Sequence, residues 1–194
     1  LITLADQNLT VDSGSISVDN ANLLDATTEG VVTASITTDS RVESLKTLTG
    51  TNNAYTIVVP AEDAAVSASD LNALNALTTV AVDLTNVTSI TSSNLVDLGT
   101  LSTAIGLDQF SNDIGITTIA VSDTTIDATT LASTIDAYDS INLSSTTDMT
   151  LASGATINVA AGEVTHMLLD ETQNRLEIVD QDIVVTGNIS VDVA

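Results

Sequence analysis

The stretch "VAVDLTNVTSITSSNLVDLGTL", residues 80–101, changes its hydrophobic period midway. Val80, Val82 and Leu84 alternate, as on a half-buried strand, whereas Leu95, Leu98 and Leu101 fall three apart, as on one face of a helix. Short polar residues separate the two patterns. A strand, a polar turn and a short helix therefore follow one another within a single stretch.

The same switch recurs along the chain. Residues 31–50 read "VVTASITTDSRVESLKTLTG", a strand to Ile36 followed by Val42, Leu45 and Leu48. Residues 55–79 read "YTIVVPAEDAAVSASDLNALNALTT", a strand to Val59 followed by Leu71, Leu74 and Leu77. Residues 116–140 give a strand followed by Leu131 and Ile135, and a weaker copy starts at Ile16. The interval is uneven: Leu71 to Leu95 is 24 residues and Leu95 to Leu131 is 36, which places an insertion near "AIGLDQFSNDIG". Candidate helix caps precede each Leu run: Asp39 or Ser40, Ser69, Ser92 or Ser93, and Asp127 or Thr129. Gly50 follows one run, where a left-handed cap is wanted. Pro60 marks the end of the strand before it.

One such unit cannot bury its apolar face alone, so the repeat predicts stacking. The expected fold is mainly β with short helices. It is a β/α solenoid with leucine-rich-repeat-like or β-helix-like coils of about 24 residues over residues 1–140. Residues 141–194 are expected to be all-β coils or a cap, with "HMLLDETQNRLEIV" as two strands joined by a turn. Stacked aliphatic rows leave little room for aromatics, in keeping with a 2 % aromatic content.

The 194-residue chain is long enough for a real core. About a quarter of it is Thr or Ser, and β-branched residues suit a pleated surface. Three basic residues stand against 26 acidic ones, a net charge of −23. A surface of that sign cannot neutralise phosphates, which excludes nucleic acid as a partner, and an anionic membrane repels it. No apolar run reaches membrane-spanning length, so membrane insertion is not expected. The charge favours solubility and loose association with cations, as for a protein exposed to a salty exterior. Cysteine is absent, which removes disulfides and thiol chemistry. The two ends read as cut from something longer.

Phrases such as "LLDATTEGVVTASIT", "LKTLTGTNNAYTIVV" and "VSASDLNALNAL" resemble the Thr/Ala/Asp-rich repeats of giant secreted or cell-surface proteins of marine cyanobacteria, hemolysin-like (RTX-like) and motility-associated proteins among them. The likeness covers roughly residues 8 to 140 and rests on repeat phrasing. It implies an extracellular or cell-surface location, flanking repeats in a longer chain, and end-to-end association. The glycine-rich calcium-binding nonapeptide of RTX proteins has no counterpart: the nine glycines include no adjacent pair.

Chemistry-bearing residues are few. "SDTTID" (Asp123, Asp127) and "DQD" (Asp180, Asp182) are the best carboxylate clusters for structural calcium, with Asp97 or Asp148 as neighbours to Asp123 and Asp127 after stacking. Neither cluster has EF-hand spacing, and solvated carboxylates explain both. His166 is the single histidine, on a predicted strand face with no G-x-S-x-G elbow, and it reads as structural. A carboxylate pair could hydrolyse a glycosidic bond, but almost no aromatics remain to hold a sugar. Thr pairs such as Thr117–Thr118 do not recur at one phase, which argues against an ice-matching array. Arg41, Glu43 and Lys46 share one predicted helix as exposed charge pairs. No enzymatic activity and no cofactor is expected. The expectation is a non-catalytic spacer, filament or adhesive stalk. The alternative is a ligand- or receptor-binding module of an adhesin or fibre, and residues 105–114 separate the two. A binding module would expose Phe110 there, and a spacer would bury it.

Overall fold

In the structure, a computed structural model, residues 4–140, 148–161 and 176–187 are described. The element order begins β1 (Leu9–Ile16), α1 (Val18–Asp25), β2 (Val32–Ile36), α2 (Val42–Leu45), β3 (Ala54–Thr56), β4 (Ala65–Val66) and α3 (Ala68–Asn75). It continues with β5 (Val82–Asp83), β6 (Ser89–Ser93), α4 (Leu95–Gly106), β7 (Phe110–Ser111), β8 (Thr118–Val121), β9 (Thr125–Asp127) and α5 (Ala128–Ser140). Strands β10 (Asp148–Thr150), β11 (Thr156–Ala160), β12 (Leu176–Glu177) and β13 (Asp182–Thr186) complete it. Single 3₁₀ turns lie at Ala61–Asp63 and Asp113–Gly115.

The period switch at residues 80–101 is real. Val82 and Leu84 are buried around β5, and Leu95, Leu98 and Leu101 form the buried face of α4. The solenoid expectation is not met. Among the described residues the architecture is mixed α/β, with helix at 30 % and strand at 31 %, and no closed coil is present. Among the described residues the strands divide into separate parallel sheets: β1-β2-β3, β12-β10-β8-β6-β4, β13-β11-β9 and β5-β7. Two features of the sequence account for the departure. The two-residue strands β5 and β7 pair with each other and stand apart from the longer ladders. The insertion lengthens α4 to 12 residues, and α5 reaches 13, so helix rivals strand.

Pairing among the described residues is parallel, and it lines up like residues from successive chain segments. Ile90 lies opposite Ile119, Ile119 opposite Met149, and Met149 opposite Leu176. A second row runs Ile126, Ile157, Ile183. Burying each such side chain stabilises the fold by roughly 1.5–3 kcal/mol relative to exposure. Helices add their own apolar stripes. In α3 the buried positions are Ala68, Leu71 and Leu74, spaced to share one face. The expected boundary near residue 140 is crossed by pairing, since β10 joins β8 and β11 joins β9. "HMLLDETQNR", and with it His166 and Arg175, lies outside the described residues.

Cap assignments shift by a residue or two. Ser67, not Ser69, accepts the Asp70 N–H at 3.1 Å, and Asn94 accepts the Asp97 N–H at 2.8 Å. Asp127 is used as expected, taking the Thr130 N–H at 2.9 Å. At α2 the N-cap position is Arg41, which makes no side-chain cap bond. Gly50 is left-handed (φ +80°) but sits beyond the helix end at Lys46, within the loop to β3. Pro60 leads into the 3₁₀ turn, while β3 has already ended at Thr56.

Candidate functional site

The first amides of a helix have no intrahelical acceptor. In three helices the opening amide is met by a side chain from the next chain segment. Val42 donates to Asp63 Oδ2, Ala68 to Ser93 Oγ and Leu95 to Asp123 Oδ2, each at 2.7 Å. A carboxylate is well placed there, because helix N-termini carry partial positive charge. Ser93, expected to cap its own helix, thus serves its neighbour α3.

The carboxylates considered for calcium have the following places in the structure. Asp123 closes α4 and Asp127 closes α5, so the two carboxylates serve different helices. The Thr130 N–H and hydroxyl hold Asp127 below the usual carboxylate range. Asp97 accepts from the Asn94 side chain at 2.8 Å, and Asp148 is exposed at the start of β10. Asp180 accepts the Ser153 hydroxyl at 2.5 Å and the Gln181 amide at 2.7 Å, and Asp182 is exposed. Among the described residues no three His, Asp or Glu side chains converge on a point that could hold a metal.

Arg41 and Lys46 flank α2 and reach into the following segment, a role the sequence did not disclose. Arg41 pairs with Asp63 at 2.5 Å, on the same carboxylate that takes the Val42 N–H. Lys46 pairs with Asp70 at 2.7 Å and with Glu43 at 2.8 Å. Those bonds, Asp70 first, raise the Lys46 ammonium well above the ordinary lysine range.

Amide side chains extend the pattern. Asn22 donates to the Thr47 carbonyl and accepts the Thr49 N–H, bridging one turn to the next. Asn72 donates to the Asp97 carbonyl, and Asn86 to the Val59 carbonyl. Asn53 accepts the Val32 N–H and donates to Asp25 and to the Tyr55 hydroxyl. Burial, reinforced by the Asp25 charge, pushes the Tyr55 phenol up to about 12. Buried Tyr138 donates to the Leu98 carbonyl at 3.0 Å, and burial raises its phenol further.

A concave surface lies beside these bonds. An open groove of about 450 Å³ runs between α3 and α4, lined by Asn72, Asn75, Val96, Thr100, Leu107 and Gln109 among others, all uncharged. Val96 and Leu107 are well exposed at its rim. Asn75 donates to Gln109 at 2.8 Å across it. In a chain of net charge −23, an uncharged groove suits a neutral ligand better than a cation. The sequence did not reveal it, because its lining comes from α3, α4 and the residue before β7.

Phe110, in the insertion, is buried and pairs through β7 with Val82 of β5. The insertion packs against the core here instead of presenting an aromatic to solvent. No helix among the described residues is long and apolar enough to cross a membrane. No protein-family model matches the chain, and comparison with curated proteins and with solved structures finds no match.

Proposed function

We propose that the chain is a non-catalytic structural segment of a large extracellular or cell-surface protein, acting as a spacer, filament element or adhesive stalk. The observation that carries this is buried Phe110, 5 % exposed in the insertion that a binding loop would have turned outward. The polar side chains add support. Asp63, Ser93, Asp123, Asn22 and Asn72 are spent on holding one chain segment to the next. The acidic surface suits a salty exterior, and the resemblance to giant surface proteins points the same way.

The groove between α3 and α4 favours a second reading, a binding module for a neutral, hydrogen-bonding ligand such as a saccharide. The full chain is screened on an array of neutral and acidic saccharides beside a Gly99→Trp variant. A Cβ at Gly99 meets nothing within 4 Å, so the indole fills the groove without entering the core. A structural segment gives no saturable signal on the array. Saturable binding abolished by Gly99→Trp overturns the structural reading.

A further inference from the structure

Three features of the groove between α3 and α4 serve nothing in the fold. The first is Gly99, inside α4. Glycine within a helix is destabilising relative to alanine, yet a Cβ here would meet nothing within 4 Å. Packing does not ask for this glycine, and its effect is to leave the groove open. The second is the Asn72 carboxamide on α3. Its nitrogen donates to the Asp97 carbonyl at 3.0 Å, while its oxygen is buried with no donor. No other side-chain nitrogen or oxygen among the described residues is in that state, and a buried acceptor without a partner calls for one. The third is the pair Val96 and Leu107, 76 % and 65 % exposed at the two ends of the groove's α4 wall.

From these we infer that the groove binds an extended peptide segment of a partner protein, uncharged between the helices and aliphatic at both ends. The occupant follows from which groups are open. Thr100 and Thr103 donate their hydroxyl protons to the Val96 and Gly99 carbonyls, at 3.1 and 2.9 Å. Both therefore keep only acceptor capacity for a ligand. Together with the Asn72 oxygen, they make a wall that wants donors. A helix spends its backbone N–H groups on itself and cannot supply them, whereas an extended segment leaves its N–H groups free. Gln109, whose oxygen is taken by Asn75 at 2.8 Å, keeps its own N–H groups for a peptide carbonyl. Val96 and Leu107 are eleven residues apart in sequence, about 16 Å at the helical rise of 1.5 Å. An extended chain covers that span in about five residues. Aliphatic side chains four or six positions apart, which share one face of such a chain, reach both ends.

Charge selects the flanks of that segment. The lining is uncharged, but the chain around it carries −23, so acidic peptides are repelled and Lys- or Arg-bearing flanks are drawn in. Tyr55, Phe110 and Tyr138 are all buried, which leaves no aromatic platform for a sugar ring. The inference goes beyond the structural reading: a stalk or spacer with this groove has a lateral attachment point for a partner chain.

A phage library of random decapeptides panned on the full chain supplies the probes, and recovered peptides are synthesised and titrated by fluorescence anisotropy. The expected set carries aliphatic pairs four or six residues apart and no net negative charge. Saturable binding is expected to weaken by about 100-fold in Gly99→Trp, whose indole occupies the groove, and by about tenfold in Val96→Asp. Val96 is exposed, so Val96→Asp is expected to keep the urea midpoint of the parent and to separate lost binding from lost folding. Sodium chloride is expected to weaken peptides with Lys flanks by slowing their association. Failure to recover any saturable peptide overturns the assignment and leaves the structural reading standing. Peptides that bind both variants as well as the parent, recovered sets rich in Asp and Glu, or a groove that takes neutral saccharides alone overturn it as well.

Discussion

Leu74 in α3 and Ile183 in β13 both sit in aliphatic rows, yet Leu74 is wholly buried and Ile183 keeps 43 % of its surface exposed. The difference lies in what comes next along the chain. At α2, α3 and α4 the following segment supplies the side chain that meets the opening amide of the helix. From β10 onward the described elements are strands only, and β13 has no successor among the described residues. Burial of a row in this molecule is therefore conferred by the following segment, and hydrophobicity of the residue alone does not secure it.

The sharpest way to break the contrast is a charge at each site. Leu74→Asp places an unpaired carboxylate in the buried aliphatic core and is expected to destabilise by about 4 kcal/mol or more. Ile183→Asp is expected to cost less than about 1 kcal/mol, because the site is already wetted. Urea titration of both variants checks this, and equal losses would remove the distinction between the two regions.

Gly50 offers the next largest effect. Its φ of +80° is strained for any other residue, and an added Cβ would collide with the Asn53 amide and the Asp25 carboxylate. Gly50→Ala is expected to cost about 1–3 kcal/mol, read from the urea midpoint.

How much of this could be read in advance is clear at α4. The spacing of Leu95, Leu98 and Leu101 gave the helix and its buried face, because local period reflects which side meets the core. Mixed α/β architecture was not legible, since the lengths of α4 and α5 and the breaks between sheets depend on packing of the insertion. Asp123 shows the limit at the candidate site. Its local cluster suggested a cation ligand, whereas its partner is the Leu95 amide, 28 residues earlier in the chain. No window of neighbouring residues contains that information. The groove between α3 and α4 was hidden for the same reason.

Asp123→Ala follows in size. Losing the acceptor for the Leu95 N–H is expected to cost about 1 kcal/mol, and Asp123→Asn should retain part of it. Amide exchange at Leu95 should accelerate in Asp123→Ala while that at Ala68, capped by Ser93, stays unchanged. Calcium sharpens the point: with Asp123 and Asp127 each closing a helix, sodium chloride should raise the melting temperature gradually and calcium at matched ionic strength should add nothing. A calcium-specific rise reversed by a chelator would contradict this.

The smallest effect is alkaline. Tyr55 has its folded pKa raised from about 10 to about 12, so the neutral phenol favours the fold. That stability is complete below pH 10 and is lost as pH rises toward 12, because the unfolded chain ionises first. Tyr55→Phe should flatten the decline in melting temperature above pH 10, leaving the remainder to Tyr138 and Lys46.

The caps borrowed from the next segment also impose an order in time. A ribosome delivers the chain from its N-terminus, so α3 emerges with the Ala68 amide open, and Ser93 arrives only 25 residues later. The α4 opening at Leu95 waits a further 28 residues for Asp123. These two helices are finished by sequence not yet made when they first form, so their maturation trails synthesis by about one segment.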